Sequence, residues 1–330
     1  MGVTIKDVAQ AAQVSVASVS RVLNGHDTVT EETRDHILAV MKKLRYVPHV
    51  GARSLSTSLT DTVGVLLPDL YGEFFSEMIR GIDGAARSRG LHLLVASLHG
   101  DADEAAAAIR TMRGRVDGLI VMSPHVDAEF LSEHLPEHLP IVLLNNGAGG
   151  SQYCSLSIDN YSAAAQMVRH LAGCGHKRIA FITGPKLNFE AQERLRGYRA
   201  AMAEMLPGVP EQIFEGDFSE ESGARVGQQL AATGERPDAL FAANDMMAIG
   251  AQLALTQAGL NIPRDIALAG FDDIPIARYV SPALTTVRVP IAELGVRALE
   301  RLTELVGRSG DGAASAQTLE AELVVRGSSK

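Results

Sequence analysis

Four short apolar runs in this 330-residue chain are each followed within two residues by carboxylates or amides. Asp69 follows Val63–Leu67, Asn145-Asn146 follows Ile141–Leu144, Asn244-Asp245 follows Ala239–Ala243, and Asp272-Asp273 follows Ile266–Gly270. Such runs read as buried parallel strands, and in open parallel sheets ligands bind beyond the carboxyl ends of the strands. Polar groups at four such ends therefore predict a binding cleft. Any one of them could instead cap a helix, and Asp245, directly before Met246, is expected to do so.

Catalytic chemistry finds less support. The chain has no GxGxxG turn, Walker A loop, HExxH pair or GxSxG elbow. His134 and His138 are four apart, but Pro136 breaks the helix that would align them, so no metal site and no cofactor are expected. Cys154 and Cys174 form no framework and read as small buried side chains of a reducing cytoplasm. The N-terminal residues lack the charged and apolar regions of a signal peptide, and no apolar run is long enough to span a bilayer.

The elements that would position the cleft begin at Thr62. Candidate strands Val63–Leu67, Leu91–Ala96, Leu119–Met122 and Ile141–Leu144 alternate with helices near Phe74–Arg89, Glu104–Arg113 and Ala128–His134. The rhythm restarts after Asp159 with strands Ile179–Thr183, Ala239–Ala243 and Ile266–Gly270. Helices near Tyr161–Leu171, Glu193–Met205, Glu221–Ala231 and Met246–Ala258 accompany them. This alternation predicts parallel sheets covered on both faces, in two Rossmann-like subdomains. The last strand is expected at Leu319–Val325, after a mobile loop from Gly307 to Gln317.

The first sixty residues differ in kind. Thr4 and Asp7 make a capping-box-like start, with Ile5, Val8, Ala9 and Ala12 at helical spacing. After Gln13-Val14, Ser15 can cap a second helix whose apolar face is Val19, Val22 and Leu23, ended by Asn24-Gly25. Thr30, with Glu31 and Glu32, opens a third helix lined by Ile37, Val40, Met41 and Leu44. Two short helices joined tightly and braced by a third make a helix-turn-helix unit, whose second helix is the natural reader of the DNA major groove. The net charge of −9 does not oppose this: residues 1–60 hold seven basic groups and five acids, a local +2 that leaves −11 elsewhere.

The wording is more specific than the periodicity. Thr4-Ile5-Lys6-Asp7-Val8-Ala9, Val14-Ser15-Val16-Ala17-Ser18-Val19-Ser20-Arg21-Val22-Leu23-Asn24, Glu31-Glu32-Thr33-Arg34 and Leu44-Arg45-Tyr46-Val47-Pro48 resemble the head of the LacI/GalR family of transcription regulators. Gly175-His176-Lys177-Arg178-Ile179-Ala180, Arg194-Leu195-Arg196-Gly197-Tyr198, Ala243-Asn244-Asp245, Gly270-Phe271-Asp272-Asp273 and Pro282-Ala283-Leu284-Thr285-Thr286-Val287 extend the resemblance over nearly the whole chain.

The resemblance implies an all-α helix-turn-helix head on residues 1–47, a hinge helix or linker on 48–61 and a periplasmic-binding-protein-like α/β effector domain on 62–330. Within that domain it implies an N-subdomain of 62–159 with 289–317 and a C-subdomain of 160–288 with 318–330. Val16, Ala17 and Arg21 would then face base edges, while Thr4, Ser15, Ser18 and Asn24 would set register on the backbone. Arg53 and Leu55 would belong to a hinge helix that folds on DNA, with Leu55 wedged into the minor groove. His49 departs from the asparagine usual after the proline.

Phe74, Phe75, Asp159, Asn188, Glu190, Arg194, Phe218, Asn244 and Asp272 fall at positions that contact effector in the family. A carbohydrate is the favoured effector, because purine-binding relatives lack the amide at Asn244; a purine or other metabolite acting as corepressor is the alternative. The implied protein is a homodimeric repressor of carbohydrate-utilisation genes, cytoplasmic and not membrane-bound, released from a pseudo-palindromic operator by a sugar-type inducer. A sugar-binding protein without a gene-regulatory role is the alternative of another class.

Overall fold

Three helices form the N-terminal unit: α1 (Ile5–Ala11), α2 (Val16–Leu23) and α3 (Glu31–Leu44). They belong to a computed structural model that describes residues 3–23, 28–46, 59–98, 102–122, 128–134, 139–145, 153–307 and 315–330. The capping box closes as expected: Asp7 N donates to Thr4 Oγ1 (3.4 Å) and Thr4 N to Asp7 Oδ2 (2.7 Å). Helix α1 ends because Gln13 turns left-handed at φ 55°, which lets Val14 N donate back to Ala9 O at 3.0 Å. Ser15 then caps α2, accepting from Ser18 N at 3.0 Å, and Thr30 caps α3. Val8, Ala9, Ala12, Val19, Val22, Ile37 and Met41 make the core of this unit. This unit extends to Thr62 and takes in Gly114–Asp117. Asn24 and the hinge stretch containing Arg53 and Leu55 lie outside the described residues.

The second unit, Val63–Arg113 with Gly118–Lys330, contains two parallel sheets. The first uses β1 (Thr62–Leu67), β2 (His92–Ser97), β3 (Gly118–Met122), β4 (Ile141–Leu144) and β5 (Cys154–Ile158), and takes β11 (Ala316–Leu319) from near the chain's end. Its order is β11-β5-β4-β3-β1-β2, with parallel pairing from β1 through β3, β4 and β5 to β11. The second sheet has order β7-β6-β8-β9, all parallel, from β6 (Ile179–Ile182), β7 (Gln212–Phe214), β8 (Ala239–Ala242) and β9 (Ala267–Ala269). A short antiparallel pair, β10 (Thr286–Arg288) with β12 (Glu322–Val324), stands beside them. Nearly every strand residue at the sheet centres is buried, as two-sided coverage requires.

The covering helices are α4 (Glu73–Arg87), α5 (Ala102–Met112), α6 (Ala128–His134), α7 (Asn160–Gly173), α8 (Phe189–Met205), α9 (Glu220–Ala232), α10 (Asp245–Gln257) and α11 (Ile291–Gly307). They pack in close pairs: α4 on α11, α7 on α8, α9 on α10. No described helix is long and apolar enough to cross a membrane. Cys154 is buried and Cys174 half-buried.

Several expectations are corrected here. The final strand is shorter than Leu319–Val325, and the stretch expected to be a loop up to Gln317 already contains the start of β11. Ala316–Leu319 pairs in register with Ser155–Ile158, so the last crossing into the second lobe follows Leu319 rather than residue 317. Helix α11 and strands β5, β7 and β10 have no counterpart in the expected elements. Asp245 is not a cap: Asn244 caps α10 through Met247 N (3.0 Å), and Asp245 is its first residue.

The close helix pairs depend on missing side chains. A Cβ on Gly197 of α8 would stand 2.2 Å from the carbonyl oxygen of Tyr161 on α7, whereas one on Gly173, the last residue of α7, would meet open space. Gly197→Ala is expected to cost about 1–3 kcal/mol by overpacking and lower the thermal midpoint by several degrees. Gly173→Ala should hold or slightly raise it, gaining up to about 1 kcal/mol of helix propensity. Equal midpoints for the two variants in thermal denaturation would show that the helix pair yields more easily than this geometry implies.

Candidate functional site

In the N-terminal unit, α2 buries Val19 and Val22 against α1 and α3, which turns its opposite face outward. Val16 (41 % exposed), Ala17 and Arg21 occupy that outer face. Ser15 and Ser18 sit at its N-terminal end with hydroxyls 2.9 Å apart, and Thr4 lies exposed at the start of α1. An exposed helix carrying a guanidinium and two small apolar groups has the shape and donors for base edges in a major groove. The described DNA-contact candidates, Thr4, Ser15, Val16, Ala17, Ser18 and Arg21, are thus all solvent-facing or half-exposed.

The second unit holds a cavity of about 710 Å³ between its two sheets. Its place follows from topology. In each sheet the strand order reverses next to the first strand, between β1 and β3 and between β6 and β8, and ligand crevices open at such switch points. Pro68 and Asp69 line it beyond β1, Met122 at the end of β3, Pro185 beyond β6, Asn244 beyond β8 and Asp272 beyond β9. Four N-cap residues, Gly72, Asn188, Ser219 and Asn244, also line it, because helices following parallel strands start on that side.

Eight of the nine expected effector residues come together there: Phe74, Phe75, Asn188, Glu190, Arg194, Phe218, Asn244 and Asp272. Phe74 and Phe75 meet edge to face at 5.5 Å. Phe218 holds φ 74°, and a side chain on Gly184 would strike its ring at 2.4 Å, so Gly184 makes its seat. Asp159 is the exception. It is exposed and caps α7, accepting from Ser162 N at 2.9 Å, outside the cavity lining. Its neighbour Asn160 faces inward instead, since successive residues around a helix start point to different sides.

Arg194 organises the cavity floor. It is 3 % exposed, with Nε donating to Asn160 Oδ1 (2.8 Å) and Nη1 to Ala243 O. Nη2 stands 3.2 Å from Asp272 and 3.9 Å from Glu190, and the guanidinium carbon lies 3.8 Å from the Phe271 ring centroid. Burial pushes the Asp272 carboxyl up to about 7, against the pull of Arg194, and the nearby Glu190 charge raises it further. Burial also raises Glu190, and it raises Asp245 well above the carboxylate range, with Asp272 adding repulsion. Asp245 is held by Thr286 Oγ1 (2.6 Å) and Ile274 N (3.0 Å); Asp273 is ion-paired with Arg288 and Arg326, outside the lining.

Asn244 contributes less to a ligand than its position suggests. Its Oδ1 caps α10 and its Nδ2 donates to Phe218 O at 2.9 Å. Asn188 likewise caps α8 through Ala191 N. Sequence reasoning missed Asn160, Tyr71, Met122, Leu187, Asp217 and Met246. The Asp217-Phe218-Ser219 turn before α9, a short capping cluster, was the available signal for Asp217. Two hydrogen bonds cross the mouth, Tyr71 Oη to Glu220 Oε1 (3.2 Å) and Ile276 N to Glu73 Oε2 (2.7 Å). Among the described residues no cluster could hold a metal ion; His138 of the histidine pair lies outside them.

The raised carboxyls imply a pH dependence. Asp272 ionises near its ordinary 3.8 in the unfolded chain but only at about 7 in the folded one. Between those values the folded state binds the extra proton, so stability present at low pH is lost as pH rises through that window. The thermal midpoint of the unliganded protein is expected to decline from pH 5 to 7.5, and Asp272→Asn to flatten that decline. An unchanged slope in the variant would mean that Asp272 does not hold the proton.

Comparison with known proteins places both units. Residues 4–49 match the family model for bacterial regulatory proteins of the lacI family, and residues 168–329 match a periplasmic binding protein-like domain. The chain is 35% identical to catabolite control protein A of Priestia megaterium, covering 93% of this chain and 94% of that protein. It is 37% identical to the HTH-type transcriptional repressor PurR of Klebsiella pneumoniae (strain 342), covering 92% and 90%. The crystal structure of the lac repressor dimer bound to operator and the anti-inducer ONPF superposes with TM-score 0.88 at 28% identity, over 100% of this chain and 99% of that one. A transcriptional regulator CelR–cellobiose complex superposes with TM-score 0.72 at 29% identity, over 99% of both. A helix-turn-helix head, two parallel-sheet lobes around a cavity and these full-length relatives carry one conclusion: the chain belongs to the LacI family and is a DNA-binding transcription regulator, not an enzyme.

Proposed function

We propose that this regulator is a dimeric repressor that leaves a pseudo-palindromic operator when a sugar-type molecule fills the cavity between its two parallel sheets. The observation that carries the ligand reading is the cavity's composition. Acceptor carboxylates of Glu190 and Asp272 and the fixed Arg194 fork lie at the floor, beside the aromatic walls of Phe74, Phe75 and Phe218. Hydroxyls of a sugar ring can donate to the carboxylates while its C–H face lies on an aromatic ring. The volume of about 710 Å³ suits a mono- or disaccharide. The amide of Asn244, engaged within the fold, adds little to this choice. Support from relatives is of the same kind: one superposing regulator is a cellobiose complex.

The operator reading rests on the outer face of α2. Arg21 would pair with guanine, Val16 and Ala17 would meet thymine methyls, and Thr4, Ser15, Ser18 and Asn24 would hold phosphates. Arg53 and Leu55 would act in the hinge, Leu55 as minor-groove wedge. Two heads in a dimer reach major grooves about 34 Å apart, which is why the operator should be a pseudo-palindrome. A protein that reads chromosomal DNA works in the cytoplasm. Ligand would act by binding one arrangement of the two lobes better than the other, and the direction of the response follows from that difference alone.

Two measurements test this. Arg21→Ala is expected to weaken operator binding by about 1–3 kcal/mol at matched salt, with base preference relaxed at one position of each half-site. Unchanged affinity and preference would remove Arg21 from the base contacts. Thermal shift of the intact protein against mono- and disaccharides, nucleosides and purine bases should give stabilisation of about 2.7 kcal/mol by a sugar at a hundred times its Kd. A response to purines alone would replace the inducer reading with corepression.

A further inference from the structure

Glu190 brings into the cavity a buried carboxyl group whose hydrogen-bonding needs the fold meets only in part. It is the second residue of α8, 7 % exposed, and its Oε1 accepts no hydrogen bond among the described residues. Asp272, 5 % exposed, has an Oδ1 whose neighbouring donor is the Arg194 guanidinium, 3.2 Å away. Both oxygens have the same cationic neighbour, Nη2 of Arg194, while Nε and Nη1 donate to Asn160 and Ala243. One buried cation therefore faces two buried carboxylates.

The surroundings do not supply the missing charge. Asp245 adds a third buried carboxylate behind Asp272, satisfied by Thr286 and Ile274. Arg288 and Arg326 are committed to Asp273. At the mouth, Asp69, Asp217 and Lys186 line the cavity, and Lys186 is paired with the exposed Glu215. The N-terminus of α8 offsets only part of one carboxylate, since a helix end amounts to about half a charge.

A buried carboxylate oxygen without a donor is costly, so bound ligand gains most by supplying both a donor and positive charge. A phosphorylated sugar would add negative charge where it is already in excess. A neutral sugar would supply donors and leave the charge uncompensated. We propose that the cavity takes a cationic, sugar-like ligand whose protonated amine lies between Glu190 Oε1 and Asp272 Oδ1, and that Glu190 sets this preference. The inference rests on the sugar-type reading and narrows its ligand class.

The test is calorimetric titration of the full chain at pH 7 with matched pairs: D-glucosamine and D-glucose, D-galactosamine and D-galactose, D-mannosamine and D-mannose, with D-glucose 6-phosphate added. In at least one pair the amine should bind tighter by about tenfold or more, and the phosphate should not bind. Glu190→Gln should bring that pair to near equality by weakening the amine more than the neutral sugar. Neutral sugars binding as well as their amines, or a preference that survives Glu190→Gln, would overturn the inference while leaving a sugar site in place. The comparison within each pair uses the unaltered chain and stands even if the variant fails to fold. No response to any of these monosaccharides would overturn the inference, and the disaccharide and purine arms of the thermal-shift panel decide the sugar-type reading separately.

Discussion

The second unit is organised around one guanidinium taken out of water. Arg194 extends from α8 to the start of α7 through Asn160, to the end of β8 through Ala243 and to the end of β9 through Asp272, over the face of Phe271. A buried ion is tolerated only when its donors are met, and breaking such a pair typically costs about 3–5 kcal/mol. The consequence is geometric as well as energetic. Three elements that end at the cavity are held to one rigid fork, so the floor of the cavity is preorganised before ligand arrives. What the fork does not provide is charge balance, and the raised carboxyls of Asp272 and Glu190 are the unliganded protein's response to that deficit.

The same economy of polar groups explains which site residues were legible in the sequence. Strand ends announced themselves, because a buried parallel strand must be apolar and the first polar residue after it stands out; Asp69, Asn244 and Asp272 reach the cavity, and Asn145 does not line it. Family resemblance added the helix positions Glu190 and Arg194, which no strand rule would find. At Asp159, which lies outside the lining, a shift of one residue separates a solvent-facing cap from the buried Asn160. Capping propensity cannot tell those two apart, since either side chain could accept the helix's first N–H. Asn244 shows the reverse confusion: it lines the cavity, yet its amide is engaged in holding α10 and the Phe218 turn.

The fold was legible where hydrophobic periodicity was undisturbed and obscure where it was interrupted. Strands β1, β3, β4, β6 and β8 are continuous apolar runs. Strand β5 alternates, Cys154-Ser155-Leu156-Ser157-Ile158, because it lies beside β11, near the edge of its sheet, and Ser157 meets Thr318 across that pairing at 3.2 Å. Strand β11, Ala316–Leu319, is polar and largely exposed, so no core pattern marks it. Helix α11 carries a clear apolar stripe, Leu294, Ala298, Leu299 and Leu302, but it belongs to the first lobe while lying far along the chain. Alternation of strands and helices, read in order, has no place for such a return.

That return matters for how the two lobes communicate. The chain passes between them three times, after β5, near β10 and after β11, so neither lobe is a separable module. The cavity is lined by α8, α10 and the turn before α9 in one lobe and by the Phe74–Phe75 turn of α4 in the other. Helix α4 packs on α11, with Gly81 against the backbone of Ala292, an approach too close for any side chain. A displacement of the Phe74–Phe75 turn would therefore be carried as a rigid pair of helices and not absorbed by side-chain rearrangement, because close-packed interfaces shift between arrangements and do not deform smoothly. Ligand contacts on one side of the cavity and a stiff helix pair on the other are the two components a ligand-controlled regulator requires.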